Sequence, residues 1–177
     1  MKKPLVMWGG TDINPRIYNQ ANTLSQTPNN SRDMADMIAI REAFSSNTPV
    51  VGVCRSSQLL CAMHGGKLWQ HSQPHRQDHS IQCADGSFFE RADAGHHQIS
   101  QPDRTRSEVL AWNPSLTKVW YDAEKTTDVI NCAEVVWYPE NCCIGIQPHP
   151  EWAQDNNDPF VKWINELLNK YGIDYAF

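Results

Sequence analysis

Val50-Val51-Gly52-Val53-Cys54-Arg55-Ser56-Ser57-Gln58-Leu59-Leu60 decides the fold: an apolar, β-branched run stops at one reactive side chain and resumes as a helix-compatible segment. A strand that ends so abruptly places Cys54 at a helix N-terminus, beside free backbone N–H groups and the positive end of the helix dipole. A thiol ionises more easily there, and the thiolate is the nucleophilic form. A cysteine simply packed at a strand end satisfies the same residues, since cysteine is among the most buried residue types. The stretch alone leaves both readings open.

Working outward toward the N-terminus, residues 4–8 (Pro-Leu-Val-Met-Trp) form a short apolar run ending at Gly9-Gly10. This is the pattern of a buried strand whose sharp terminal turn exposes backbone N–H groups. Residues 11–30, rich in Asn, Gln, Ser and Thr, read as a loop. A helix is expected over residues 32–46, capped by Asn30 or Ser31, with Met34, Met37, Ile38 and Phe44 as its apolar face against charged Arg32, Asp33, Asp36, Arg41 and Glu42. Strand, helix and strand in succession predict a parallel crossover. Both strands then point their C-terminal ends at one sheet edge, which carries Gly9-Gly10 and Cys54 and is where open α/β sheets hold their sites.

Toward the C-terminus, residues 56–64 read as a helix closed by Gly65-Gly66, and residues 67–70 as a short strand. Residues 73–103 carry short alternating pieces that predict antiparallel β segments or long loops. Further strands are expected at 109–112, 118–121, 129–137 (interrupted by polar Asn131 and Glu134) and 143–147. Pro148-His149-Pro150-Glu151 cuts off the last of these, and the two prolines hold the imidazole rigidly. Asp158-Pro159 opens a final helix whose stripe of Phe160, Trp163, Ile164, Leu167, Leu168 and Tyr171 is core-packing.

The totals bound the function. The 177 residues fit one domain, 1–177, with a core large enough to need no disulfide staples. Lys+Arg number 15 against 20 Asp+Glu, and the basic residues are scattered, which argues against nucleic acid and membrane as partners. Six cysteines without a secretion signal predict reduced thiols and a cytoplasmic protein. No C-x-x-C pair occurs, and although His71, His75 and His79 recur every fourth residue, Pro74 breaks the helix that would align them. Neither a metal nor a cofactor is expected.

A cysteine nucleophile needs a base for its proton, usually a histidine held by a third group. His149 and Glu151 stand two residues apart at a strand end, so the carboxylate can reach the far ring nitrogen and fix the tautomer. The plainer alternative is a turn histidine between prolines beside a surface glutamate.

The order nucleophile, histidine, carboxylate resembles the class I glutamine amidotransferase-like family, and within it the γ-glutamyl-γ-aminobutyrate hydrolase (peptidase C26) branch in a shortened form. The likeness is carried by Gly9-Gly10-Thr11-Asp12 with Pro15 and Tyr18, by Arg32-Asp33, by residues 52–60, by residues 65–70, by His96-His97-Gln98 and by residues 145–152. It implies an α/β fold of three layers, a mostly parallel central sheet flanked by helices (flavodoxin-like), with an added antiparallel β segment. It also implies that Cys54 attacks the γ-carbonyl of a glutamyl amide to give a thioester, that His149 protonates the departing amine and that Glu151 orients His149. Backbone N–H groups of Gly10 and Arg55 would hold the oxyanion, and Gly9, Gln58, His96 and His97 would line the substrate side. Three features depart from the family pattern: Ser56 in place of a glycine, Pro148 in place of an aromatic residue, and a start almost at the glycine turn where the branch has a further strand and helix.

The resemblance admits three functions: a stand-alone hydrolase of small γ-glutamyl amides, a glutaminase component supplying ammonia from glutamine to a synthetase partner, and an inactive binding module. No stretch resembles a phosphate-binding loop, so any ATP chemistry would belong to the partner.

Overall fold

A computed structural model describes residues 2–74, 77–155 and 157–177. The chain runs through β1 (Leu5–Met7), α1 (Asn30–Ser45), β2 (Val50–Val53), α2 (Arg55–Met63), β3 (Lys67–Trp69) and β4 (His71–Gln73). The middle is β-rich: β5 (His79–Cys83), β6 (Phe88–Ala92), β7 (Ile99–Gln101), β8 (Glu108–Asn113), β9 (Thr117–Trp120) and β10 (Thr126–Val129). Then come β11 (Cys132–Tyr138), β12 (Cys143–Ile146) and α3 (Pro159–Lys170).

The main sheet has the order β1-β2-β12-β11-β8-β5-β6, with β7 joining β11 to β3, and β10-β9-β4 form a separate antiparallel sheet. Both neighbours of β2 run parallel to it, Leu5 pairing with Val50 and Cys143 with Val50. Beyond β12 every pairing is antiparallel. The expected parallel crossover is present, and the antiparallel segment extends the same sheet.

Residue alternation along β2 and β12 makes the three layers. Val50 and Cys143 face one core with Ile40 and Ala43 of α1 and Leu59 and Leu60 of α2, whereas Val51, Ile144 and Ile146 face a second core with Phe160, Ile164 and Leu168 of α3. A continuous apolar run is what a strand buried on both faces requires.

Helix boundaries follow their caps. Asp158 Oδ1 accepts from the N–H groups of Phe160 and Val161 at 2.9 and 3.0 Å, as the Asp-Pro signal predicts. At α1 the cap is Asn29, whose side chain accepts from Arg32 N–H at 3.0 Å, so the helix begins ahead of the expected position. The larger correction is the face: Met34 and Ile38 are exposed, and Asp33, Ile40 and Ala43 are buried. The helix is rotated because Asp33 and Asp36 turn inward to meet Arg55.

The strand expected over 129–137 is two strands, broken at Asn131, which takes the left-handed conformation with φ 57°. His71 and His79 lie on strands, not on a shared helix face, and His75 lies outside the described residues. Among the described residues no helix is long and apolar enough to cross a membrane.

Candidate active site

Cys54 is the hinge between β2 and α2, with φ 50° and ψ −108°. Such a conformation costs a residue bearing a Cβ roughly 1–3 kcal/mol and persists only where the surroundings enforce it. Here Cys54 N–H donates to Ile146 O at 2.8 Å and Cys54 O accepts from Gln58 N–H at 3.2 Å. The turn also needs α2 pressed onto the sheet. Gly52 and Gly145 are register partners, and a Cβ on either would come within 2.8 Å of Ser56 O or 2.6 Å of Ser57 Oγ respectively. Ser56 fits the turn: its hydroxyl donates to Trp8 O at 2.8 Å and ties α2 to the end of β1.

His149 follows β12 and is fixed by its own N–H, which donates to Asp93 O at 2.8 Å. Pro150 opens a short 3-10 turn, Pro150–Trp152, that brings Glu151 back against the ring. His149 Nδ1 donates to Glu151 Oε1 at 2.7 Å, which leaves Nε2 free as a base. Trp152 lies flat on the imidazole, ring centroids 3.6 Å apart and planes 1° from parallel.

Gly9 stands between the histidine and the cysteine: a Cβ there would lie 2.9 Å from His149 Cε1, 3.7 Å from His149 Nε2 and 3.4 Å from Cys54 Cβ. Any side chain at Gly9 would displace the imidazole. Among the described residues no hydrogen bond joins Cys54 Sγ to His149, and both side chains pack against this glycine. The ease of ionisation expected at a helix N-terminus is overridden. Burial pushes the Cys54 thiol up to about 12; the Arg55 backbone N–H opposes this, and the charges of Glu151, Asp12 and Glu134 add to it. The resting group is a thiol.

The Gly9-Gly10 turn is held from outside by Arg32, whose Nη2 donates to Gly9 O at 2.9 Å. Because the peptide is trans, Gly10 N–H points opposite to that carbonyl, away from Arg32. The side chain of Arg55 points away from the thiol and is buried between Asp33 and Asp36, so only its backbone stays at the turn.

Gly10, Asp12, Cys54, Gln58, His96 and His97 share the wall of a cavity of about 290 Å³. Gln58 is buried and its Nε2 donates to Gln147 Oε1 at 3.2 Å and Gln98 O at 3.4 Å. His97 Nε2 lies 3.0 Å from Asp12 Oδ2, which also accepts from Gln26 N–H. His96 Nδ1 donates to Gln98 O at 3.0 Å. Of the predicted site residues, Gly10, Cys54, Gln58, His96 and His97 line this cavity, and His149 packs beside it against Gly9. The sequence carries no local spacing signal for the Asp12–His97 pair or the Arg55–Asp33–Asp36 cluster; the stacked Trp152 was legible only as part of the motif following His149.

Comparison with known proteins places the fold and the family. A glutamine amidotransferase-like protein of Lactococcus lactis is 37% identical over 67 residues, covering 37% of this chain and 28% of that protein. Protein NtpR of Enterococcus hirae is 40% identical over 68 residues, 37% of this chain and 28% of its own. The matched stretches therefore span under a third of these relatives. Among solved structures, a glutamine amidotransferase of Thermotoga maritima superposes with TM-score 0.52 at 16% identity, over 80% of this chain and 57% of that one. A Thermoplasma acidophilum protein named as part of a GMP synthase gives TM-score 0.51 at 11% identity, over 97% of this chain and 98% of that one. At these identities the superpositions establish the glutamine amidotransferase fold alone. The Peptidase C26 family model matches residues 3–151, which hold the elbow, the glycine turn, His149 and Glu151, and the chain belongs to that family.

Proposed function

We propose that this chain is a cysteine-nucleophile hydrolase that cleaves the amide bond of a small γ-glutamyl amine through a γ-glutamyl thioester. The observation that carries the reading is His149, with Nδ1 committed to Glu151 at 2.7 Å and its ring packed, like Cys54 Cβ, against Gly9. Family membership supports amide hydrolysis as the reaction class. A cavity of about 290 Å³ suits a small molecule.

In this mechanism His149 Nε2 takes the thiol proton as Sγ attacks the γ-carbonyl carbon. Burial pushes the thiol up, which favours removal of its proton by a general base in step with attack. The developing oxyanion is held by N–H groups of Gly10 and Arg55, preorganised by the Arg32 contact on the first and by the elbow on the second. The tetrahedral intermediate collapses, the C–N bond breaks, and the amine leaves with the proton from His149. Water, deprotonated by the same nitrogen, then cleaves the thioester, releasing the glutamyl acid and restoring the thiol.

A second reading, a glutaminase component serving a separate synthetase, is supported by the superposition over nearly the full length of a chain named as part of a synthase. Assay of the purified chain on glutamine and a panel of γ-glutamyl amines distinguishes the two. Release of amine without any partner, with the thioester trapped by hydroxylamine as a γ-glutamyl hydroxamate, supports the hydrolase. Turnover restricted to glutamine plus a partner supports the second reading. Equal turnover by the parent and Cys54→Ala overturns both.

A further inference from the structure

Beyond the cavity wall, His79 on β5, His96 between β6 and β7, and Glu134 on β11 converge, one ligand atom from each lying within 4.8 Å of the others. The Glu134 side chain is 1% exposed and His96 8%. Glu134 Oε1 lies 3.0 Å from His79 Nε2, and Oε2 lies 3.6 Å from His96 Nε2. Yet His79 Nε2, His96 Nε2 and Glu134 Oε2 are all buried without a hydrogen-bond partner. The His79 contact with Glu134 Oε1 therefore leaves His96 Nε2 and Glu134 Oε2 unsatisfied at the same buried place.

The far sides of both rings explain why. His79 Nδ1 donates to Gln77 O and His96 Nδ1 to Gln98 O, each at 3.0 Å. A carbonyl only accepts, so each Nδ1 carries the hydrogen, and in the neutral ring Nε2 presents a lone pair inward. Fixing the tautomer through the outer nitrogen is how proteins prepare a histidine to ligate a metal. Two lone pairs and a carboxylate aimed at one buried point repel unless a cation sits between them. Asp33, another buried carboxylate, is met by Arg55. Among the described residues no Lys or Arg pairs with Glu134, whose ion-pair partners are the two histidines.

We infer that His79, His96 and Glu134 form a binding site for a divalent transition-metal ion, with Zn²⁺ the best match to two imidazoles and one carboxylate. Zinc–ligand distances of about 2.0–2.2 Å in a tetrahedron separate neighbouring donors by about 3.3 Å. The observed 3.0 and 3.6 Å run to different oxygens of Glu134, so each imidazole stands at about that spacing from one carboxylate oxygen, and the ligand atoms all lie within 4.8 Å of one another. A proton shared between His79 and Glu134 is the competing account, and it leaves the inward atoms of His96 and Glu134 unpaired. The ion would cross-link two strands to the segment that carries Gly95, where a Cβ would come within 2.9 Å of Trp152. It would thus brace the cavity wall from behind, and the thiol chemistry proceeds without it. The sequence expectation of no metal rested on His71, His75 and His79 and did not test this set.

Titration of the EDTA-treated, TCEP-reduced full chain with ZnCl₂ by calorimetry tests the site, with Cys54→Ala run in parallel because a thiol beside an imidazole also takes zinc. One Zn²⁺ per chain is expected in the parent and in Cys54→Ala, with at least tenfold weaker binding in His79→Gln and Glu134→Gln. Should Glu134→Gln lose the parent's circular dichroism, His79→Gln, at the more open edge of the cluster, decides alone. Absence of stoichiometric binding in the parent overturns the inference, as does undiminished binding in His79→Gln or loss of binding in Cys54→Ala. Because Cys54→Ala lacks the nucleophile, the outcome is independent of whether the hydrolase reading stands.

Discussion

The parallel and antiparallel halves of the sheet each bring histidine to glutamate, and the two arrangements are opposite in kind. At the end of β12, His149 gives Nδ1 to Glu151 in a 2.7 Å hydrogen bond, which in the proposed mechanism leaves Nε2 for the thiol, while the Glu151 side chain remains a quarter exposed. In the antiparallel half, His79 and His96 give Nδ1 to backbone carbonyls and bring Nε2 to within 3.0 and 3.6 Å of a buried Glu134, whose Oε2 has no hydrogen-bond partner. The partner of Nδ1 sets the role of the ring. A carboxylate there stabilises the imidazolium and makes a proton carrier, whereas a neutral carbonyl only fixes the tautomer and leaves a ligand.

The sharpest break of this contrast is removal of the proton carrier itself. His149→Ala is expected to lower kcat/KM on the best γ-glutamyl amide by about 10⁴-fold or more, as loss of a triad base does, with far-UV circular dichroism unchanged. Glu151→Gln keeps the shape and loses the charge. Steady-state kinetics should show kcat down by roughly 10²–10⁴-fold with KM little changed, and a pH–rate profile displaced from that of the parent, since the imidazolium loses its stabilising partner. A pH profile identical to the parent's would show that Glu151 only packs.

Arg55 asks what a buried carboxylate does when its cation is removed. Arg55→Met leaves Asp33 and Asp36 facing an apolar group, and urea denaturation should register a loss of about 3–5 kcal/mol. His64 gives the smallest effect. It is buried, its Nδ1 donates to Leu60 O at 2.8 Å, and burial lowers its pKa below the ordinary value. The folded chain therefore binds this proton less readily than the unfolded one. The stability contributed is present above the ordinary histidine range and is lost as pH falls through it, and His64→Gln should flatten that part of the stability–pH curve relative to the parent.

What was legible in the sequence was local. The elbow could be read because β2 is a continuous apolar run and α2 begins at once, and the His149–Glu151 pair because one short turn spans two residues. Charged positions on α1 misled, since a carboxylate in a helix reads as solvent-facing until a buried guanidinium is found opposite it. Glu134 misled in the same way: it looked like an interruption in a strand, and it is one of the most buried side chains on β11. The helix N-terminus beside the thiol is a local feature, whereas the burial that pushes the thiol up is supplied by the whole edge.

By itself, then, the sequence determined the strand–elbow–helix unit, the glycine turn, the proline-bounded histidine with its carboxylate, and membership of a family whose order of motifs they follow. Only the tertiary structure decided that Gly9 separates the two reacting side chains, that Asp12 meets His97, that Arg55 is neutralised by α1, and that His79, His96 and Glu134 face one point. The reason is physical. Periodicity, caps and turns act over a few residues and leave a pattern in composition, but a buried polar group is satisfied by whatever the fold brings to it, and nothing in its neighbours records the partner.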